Sequence, residues 1–239
     1  MSIELSMVSW NCQGAFRKKS NLIAGLKPDI AIIQECESYE KLIADKKFAS
    51  PNSYLWFGDL SFKGIGIFSY TGYQFEVLDG YDDSLKYCIP IRISGRNHFN
   101  LIAVWAGPGQ ARTERYVRQV YKAVGEYIDF IREDETVIIG DFNANKIFDP
   151  KNEEGNYSSL TSKLENEGLI SAYHDYFQEE HGCESRSTFY LYRALDHPFH
   201  IDYCFIPRKW RQDLRSVSVG SYADWIGSSD HCPIMVEFG

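Results

Sequence analysis

SDHCPI, at residues 229–234, precedes the apolar, strand-like stretch that ends the chain. It places a carboxylate, Asp230, beside an imidazole, His231, a pair that hydrolysis of a phosphate ester near neutral pH can use. Three further polar clusters each close a segment with the character of a buried strand: WN at residues 10–11, QE at 34–35 and GDFN at 140–143. Four polar clusters at four strand ends predict one shared site.

Length and composition predict one globular unit. The 239 residues, 44% hydrophobic and 15% aromatic, are enough to bury a full core, and we expect a single domain over residues 1–239. The sequence has neither a signal-like N-terminal segment nor an apolar stretch near the roughly 20 residues of a membrane span. We therefore expect a cytoplasmic monomer. The six cysteines occur singly, without a C-x-x-C pair, and are expected to be buried thiols.

Net charge limits the class of partner. The chain carries a formal charge of −8, whereas a protein that holds nucleic acid through phosphate contacts alone is usually basic. A bound divalent cation can supply the positive charge locally, so an acidic chain can still cut phosphodiester bonds. The charge argues against tight non-specific DNA binding but leaves a metal-dependent nuclease open.

Hydrophobic periodicity predicts many strands and few helices. This balance is typical of two sheets packed face to face with helices outside. Helical spacing is found at residues 18–26, 112–132 and 159–167. Strands are predicted at residues 5–11, 29–34, 64–70, 75–78, 85–94, 99–105, 136–139, 187–190, 199–206, 217–221 and 232–238.

Carboxylates and amides supply the candidate chemistry at three of these strand ends. Asp141 and Asn143 stand two apart, so in extended backbone their side chains leave the same face and can hold a water beside a phosphoryl oxygen. A plain Asp-x-Asn turn is the structural alternative. Glu35 follows an uncharged run and must be exposed, paired or metal-bound, and Mg²⁺ is a suitable partner. Asn11 either orients that carboxylate, contacts phosphate or only forms a turn.

A second carboxylate interrupts an apolar strand at Asp202. Buried there, it needs a partner, and we expect His231 to be that partner, with its tautomer set and its pKa raised by Asp202. An arginine partner for Asp202 is the alternative. Asp230 either binds a metal, positions the metal's water or caps the preceding loop.

Together these residues resemble the endonuclease/exonuclease/phosphatase superfamily, most closely its exonuclease III-type AP endonucleases. The matching pieces occur in the family's order over nearly the whole chain: SWN at 9–11, QE at 34–35, GDFN at 140–143, IDY at 201–203 and SDHCPI at 229–234. The resemblance implies a four-layered α/β sandwich, in which two facing, mostly antiparallel sheets are flanked by helices.

The resemblance also implies hydrolysis of a phosphoester by in-line attack of water with Mg²⁺ or Mn²⁺ as cofactor. Glu35 would ligate the metal, with Asn11 and Asp230 as further ligands. Asp141 would activate the attacking water, and Asn143 would bind a phosphate oxygen. His231, oriented by Asp202, would stabilise the charge that develops on the phosphoryl group or the leaving oxygen.

Trp105 departs from the family pattern, which usually carries a His or Tyr at the end of the strand before the long helix. An indole offers one N–H donor and cannot act as an acid or base. It can hydrogen-bond a phosphate, stack on a base or fill the core. The replacement leaves the subfamily open.

Basic and aromatic residues near these motifs predict a rim suited to phosphates of DNA or RNA. Solvated surface charge is the alternative for each basic residue, and packing beneath the rim is the alternative for Trp225. The candidate substrate-binding residues are Trp105, Arg17, Lys63, Arg112, Arg115, Lys146 and Trp225.

The sequence therefore favours a nuclease acting on DNA or RNA, with endonucleolytic or exonucleolytic action left open. Two alternatives remain. A phosphatase of small molecules or lipid headgroups would use the same metal site, although the Trp-Cys-Asp-Arg signature of inositol polyphosphate enzymes is missing. A catalytically impaired binding module would account for Trp105 but not for the retention of the other site residues.

Overall fold

Two six-stranded sheets form the centre of the molecule in a computed structural model, which describes residues 3–107, 116–151 and 153–239. The strands in chain order are β1 Leu5–Asn11, β2 Ile30–Cys36, β3 Ser53–Leu60, β4 Lys63–Ser69, β5 Gln74–Val77, β6 Cys88–Ser94, β7 Phe99–Trp105, β8 Thr136–Asp141, β9 Leu169–Ser171, β10 Phe189–Tyr190, β11 Pro198–Phe199, β12 Asp202–Pro207, β13 Leu214–Val219 and β14 Ile234–Phe238.

The first sheet has the strand order β13-β14-β1-β2-β4-β3, and the second has β5-β6-β7-β8-β12-β9. The pairs β1–β2 and β7–β8 are parallel, and the other described pairs are antiparallel. Strands β10 and β11 form a separate antiparallel ribbon. The helices are α1 Ser20–Leu26, α2 Tyr39–Ile43, α3 Val117–Glu126, α4 Ile128–Glu133, α5 Tyr157–Asn166, α6 Ala172–Phe177 and α7 Tyr222–Trp225.

Side-chain alternation along the strands builds the layers. In β1, Met7 joins the apolar cluster between the sheets, which also holds Ile32 of β2 and Leu101 of β7. Val8 and Trp10 point the other way, into a cluster shared with α1 and α2. A third cluster lies between the second sheet and helices α3, α4 and α5. The predicted four-layered sandwich is therefore confirmed.

Several predicted boundaries were wrong. The predicted strand over 199–206 is two strands in different sheets, β11 and β12, and the long helix is divided into α3 and α4 at Tyr127. The start of that helix, with Arg112 and Arg115, lies outside the described residues. Strand β3 was missed because glycine and aspartate follow its aromatic residues and blur the alternation. All six cysteines are free, as predicted, but Cys183 is exposed.

None of the helices in the described ranges has the length and apolar character needed to cross a membrane.

Gly140 allows β7 and β8 to approach at the end that carries the candidate site. Its φ is +154°, and a Cβ built there would lie 1.9 Å from the carbonyl oxygen of Val104. We expect Gly140→Ala to lower the free energy of unfolding by roughly 2–4 kcal/mol, because the backbone must shift at a buried parallel pair. Urea denaturation measures it. Gly25→Ala in α1 is the control, since a Cβ there meets no heavy atom within 4 Å. Equal stability of Gly140→Ala and the wild type would show that β7 and β8 have room for a side chain at Gly140.

Candidate active site

The two sheets meet through side chains at the ends of β1, β8 and β12. Asn11 ends β1 and donates its Nδ2 hydrogen to Asp141 Oδ2 at 3.0 Å, across the sandwich to the last residue of β8. Asp202 begins β12 and pairs in register with Asp141. His231, before β14, places Nδ1 at 3.0 Å from Asp202 Oδ2 and Nε2 at 4.0 Å from Asp141 Oδ2. The structure thus brings five predicted residues together, including Asn143 as described next.

Asp141 is fully buried and surrounded by amide donors. Besides Asn11, it accepts hydrogen bonds from the backbone N–H of Asn143 at 2.9 Å and from Asn143 Nδ2 at 3.1 Å. The proximity of Asp141 and Asn143 comes from a turn and not from strand alternation, because Asn143 has a φ of +47° and β8 ends at Asp141. The expectation of extended backbone here was wrong. The same residues form both the turn and the site, because an Asp side chain that accepts the N–H two residues later, as Asp141 does from Asn143, stabilises a turn.

Burial dominates the protonation of Asp141. It raises the pKa of this carboxyl, the negative charge of Asp202 raises it further, and the opposing effects of His231, Asn11 and Asn143 leave the pKa at about 7. A carboxylate that takes up a proton near neutral pH is suited to general-base chemistry.

The pairing of Asp202 with His231, and not with an arginine, is confirmed. Burial alone would lower the pKa of His231, but the charges of Asp202 and Asp141 outweigh it and raise the pKa to about 9. The imidazole is therefore positively charged at neutral pH. Because Nδ1 faces Asp202, Nε2 is the nitrogen that remains for a substrate.

Residues that were not singled out for a role hold the His231 loop in place. Trp10 Nε1 donates to the His231 carbonyl at 2.9 Å. The buried Ser229 hydroxyl donates to the Asn11 carbonyl at 2.7 Å and accepts the His231 N–H at 3.0 Å. Thr188 Oγ1 accepts the Asp202 N–H at 3.1 Å. The sequence carried a signal for Trp10 and Ser229, which stand one position from Asn11 and two positions from His231, but none of this kind for Thr188.

Glu35 and Asp230 lie beside this group in different surroundings. Glu35 has a φ of +58° at a bulge in the β2–β4 pairing, which turns its carboxylate toward Lys63, 3.2 Å away. Asp230 Oδ2 accepts a hydrogen bond from Gln13 Nε2 at 2.7 Å, and the Gln13 oxygen in turn accepts one from Arg193. Both carboxylates are partly exposed and already have polar partners.

The model of the Endonuclease/Exonuclease/phosphatase family matches residues 8–231 of this sequence. The chain belongs to that family. Its members hydrolyse phosphoester bonds. The sequence has no significant match among curated proteins.

Two solved structures share the fold of this chain. A 3′ phosphatase, NExo, from Neisseria, bound to a product DNA hairpin, matches with a TM-score of 0.72 and 19% identity over 98% of this chain and 99% of that one. The 3′-5′ exonuclease NExo from Neisseria meningitidis matches with a TM-score of 0.68 and 19% identity over the same shares. At this identity the likeness shows the fold.

The divalent cation implied for this family fits the charges found here. Asp141, Asp202 and His231 place carboxylate oxygens and an imidazole nitrogen within 4.8 Å of one another, but the protonated His231 cannot ligate a cation, which leaves the carboxylates for that role. Asp202 Oδ1 is buried and has no hydrogen-bond partner among the residues that the structure describes, which is a costly arrangement without a proton or a cation nearby. Carboxylate and amide oxygens are ligands that Mg²⁺ and Mn²⁺ accept. The Asn11 oxygen also accepts the Gln13 N–H at 3.0 Å, which leaves it one lone pair.

The predicted substrate-binding residues of this family member fall into distinct settings. Trp105 is partly buried, and the centroid of its ring lies 4.8 Å from the centroid of the Tyr87 ring. Lys63 Nζ lies 5.3 Å from the centroid of the Trp105 ring. Lys146 is exposed, and Arg17 is ion-paired with the buried Glu37. Trp225 is only 8% exposed and packs edge-on against Trp10, so the structure favours packing beneath the rim over stacking on a nucleotide. Arg112 and Arg115, which were also predicted to bind substrate, lie outside the described residues.

Proposed function

We propose that this protein is a divalent-metal-dependent phosphoesterase that hydrolyses phosphodiester bonds in DNA or RNA. The observation that carries the proposal is the buried group of Asp141, Asp202 and His231, held by Asn11 and Asn143 where strands of both sheets end. A purely structural core has little reason to bury two carboxylates and an imidazole together, because each charge loses its hydration there.

The residues of the chain take complementary roles in this proposal. Asp141 accepts the proton of the attacking water, since it is the carboxylate whose pKa lies near neutral pH. The His231 imidazolium, held by Asp202, stabilises negative charge on the phosphoryl group or the leaving oxygen. A bound Mg²⁺ or Mn²⁺, with Glu35, Asn11 and Asp230 as proposed ligands, would add Lewis-acid stabilisation of the same charge.

Asn143 has a narrower role in the present arrangement. Its Nδ2 donates to the Ala106 carbonyl at 2.8 Å and to Asp141 at 3.1 Å, so both hydrogens of the carboxamide are engaged. Contact between Asn143 and a phosphate oxygen requires the release of one of these bonds. Until then Asn143 positions Asp141.

Nucleic acid is the proposed substrate class because an aromatic and a cationic group stand together near the site. The β7–β8 pairing aligns Trp105 with Asp141, and Lys63 lies above the indole. A nucleotide can stack on the indole while its phosphate meets the ammonium group. The two structural neighbours, a 3′ phosphatase bound to a product DNA hairpin and a 3′-5′ exonuclease, support DNA within this class.

The proposal is tested by hydrolysis of a substrate panel with Mg²⁺, Mn²⁺ or EDTA. The panel holds single- and double-stranded DNA, abasic duplex, DNA with a 3′-phosphate, RNA, small phosphomonoesters and a chromogenic phosphodiester. We expect cleavage of nucleic acid with either metal and at least a roughly 10³-fold loss in EDTA, because metal charge stabilisation is worth several kcal/mol.

The other outcomes of the panel identify the alternatives. Turnover of small phosphomonoesters alone would indicate a small-molecule or lipid-headgroup phosphatase. Binding of nucleic acid without turnover of any substrate would indicate a catalytically impaired binding module. Equal cleavage in EDTA would contradict metal dependence.

Trp105 provides a separate test of nucleotide stacking. We expect Trp105→Ala to raise KM for nucleic acid roughly tenfold with little change in kcat, since stacking of a base on an aromatic ring is worth about 1–3 kcal/mol. Steady-state kinetics on the best substrate of the panel measure it. Tyr54→Ala is the control, because Tyr54 is 41% exposed and stacks on Tyr39. An unchanged KM with a lower Tm would assign Trp105 to the core.

A further inference from the structure

A second group of metal-ligating side chains lies outside the candidate active site. His174 in α6 and His181 and Glu184 in the loop after α6 each offer one ligand atom, and these atoms lie within 4.8 Å of one another. His174 Nε2 is 3.0 Å from Glu184 Oε1, and the two imidazole rings are 3.6 Å apart between centroids. Ligand atoms about 2.1 Å from a tetrahedral ion lie roughly 3.4 Å from one another, so all three can reach one ion once the two stacked imidazole rings move apart and their ligand atoms converge.

Both histidines are oriented by hydroxyl groups. His174 Nδ1 lies 2.7 Å from Ser171 Oγ, and His181 Nδ1 lies 2.8 Å from the hydroxyl of Tyr157, the first residue of α5. With Nδ1 occupied in each ring, Nε2 is the nitrogen available to a metal, which in His174 would replace the hydrogen bond to Glu184 Oε1. Hydrogen bonds to the second ring nitrogen are the usual way in which proteins orient metal-bound histidines.

Glu184 is held by donors that leave it beside the histidines. Its Oε1 accepts the Gly182 N–H at 3.0 Å, and its Oε2 accepts a hydrogen bond from Asn145 Nδ2 at 3.0 Å. The Glu184 and His174 side chains are only 4% and 8% exposed. Asn145 stands two residues after Asn143, so the group is joined to the loop that carries a candidate active-site residue.

We propose that His174, His181 and Glu184 bind a divalent transition-metal ion of the zinc class. Two imidazoles with one carboxylate suit Zn²⁺, whereas Mg²⁺ prefers an all-oxygen set, so this site and the active site would select different ions. The ion would tie α6 and its following loop to Tyr157 of α5 and to Asn145. Because an unfolded chain does not preform such a site, metal binding would add to folding stability.

The test uses the full chain after treatment with a chelator. It is made in a Glu35→Gln, His231→Ala double variant, which removes a proposed metal ligand and the imidazole from the active site, and Zn²⁺ alone is added. We expect one retained equivalent of zinc after gel filtration and a rise in Tm of roughly 5–10 °C at a free Zn²⁺ concentration about 100 times Kd. Co²⁺ in place of Zn²⁺ should give visible absorption typical of a tetrahedral site.

Adding His181→Gln to this background should abolish zinc retention, while His197→Gln should not, because His197 is an exposed histidine elsewhere in the chain. A second measurement needs no variant at the site: Zn²⁺ should protect His174 and His181 from diethylpyrocarbonate, as read by peptide mass spectrometry. The proposal would be overturned by absence of zinc retention, by equal retention with and without His181, or by modification of His174 and His181 that Zn²⁺ does not slow. Hydrolysis of the substrate panel with Mg²⁺ is scored separately in the otherwise wild-type His181→Gln variant, so failure of the zinc site and failure of the proposed function are distinguishable.

Discussion

His231→Ala is expected to lower kcat by roughly 10³-fold or more with little change in KM, since it removes a buried cation that stabilises transition-state charge. The loss should be almost entirely in kcat because Nε2, the nitrogen free of Asp202, acts on charge that develops during the reaction. Single-turnover and steady-state kinetics with Mg²⁺ measure it. His197→Ala is the matched control, since that imidazole is 55% exposed and contacts its neighbour Asp196.

Asp202→Asn tests whether activity depends on the positive charge of the His231 imidazole, because the imidazole itself remains in this variant. Asp202 raises the pKa of His231 above its usual value, so the wild-type imidazole stays protonated until the pH rises through about 9. Without Asp202 the alkaline decline in activity should begin at lower pH. An unchanged alkaline decline in Asp202→Asn, or full activity in His231→Ala, would remove His231 from the proposed mechanism.

Asp141→Asn is expected to have two large effects of opposite kind. Activity should fall by about 10³-fold or more, because an amide cannot accept the proton of the attacking water. In the absence of metal, the stability of Asp141→Asn relative to the wild type should instead increase as the pH rises. The folded-state pKa of Asp141, about 7, lies above the ordinary value of 3.8, so the folded protein keeps a proton that the unfolded chain has released.

The sign of the stability change follows from that difference. The contribution of Asp141 to wild-type stability is fully present below pH 3.8 and is lost as the pH rises through 7. Relative to the wild type, Asp141→Asn should therefore gain on the order of a few kcal/mol between pH 4 and pH 8. Urea denaturation in EDTA across this range measures it. Asp196→Asn, at an aspartate whose side chain is 82% exposed, should show no such gain. If the free energies of unfolding of Asp141→Asn and the wild type differ by the same amount at every pH, burial does not raise the pKa of Asp141 to about 7.

Prediction from sequence was strongest where a local pattern carries the information. Alternation in residues 5–11 predicts both the strand and its two faces, and Met7 and Trp10 do lie in different layers. The polar residues after apolar runs predicted that Asn11, Asp141 and His231 belong together. Each of these side chains stands at a strand end, where a chain leaves the core and polar groups can be tolerated.

Prediction was weakest where the outcome depends on residues far apart in sequence. The turn at Asn143, the ion pair of Glu35 with Lys63 and the burial of Trp225 against Trp10 are set by neighbours that no local window contains. The same is true of the bond between Asn11 and Asp141, which crosses from one sheet to the other. Local periodicity states which face a side chain occupies, but not which opposing surface will meet it.

By itself, the sequence determined the kinds of chemical groups at the site, their order along the chain and the family to which the chain belongs. Only the tertiary structure decided between the open alternatives and showed which groups touch: that Asp202 takes His231 and not an arginine as its partner, that Asp141 is fully buried among amides, and that His174, His181 and Glu184 form a second cluster. The physical reason is that charge, size and hydrogen-bonding capacity belong to single residues, whereas burial and distance belong to pairs of surfaces. Those surfaces exist only after the two sheets have packed.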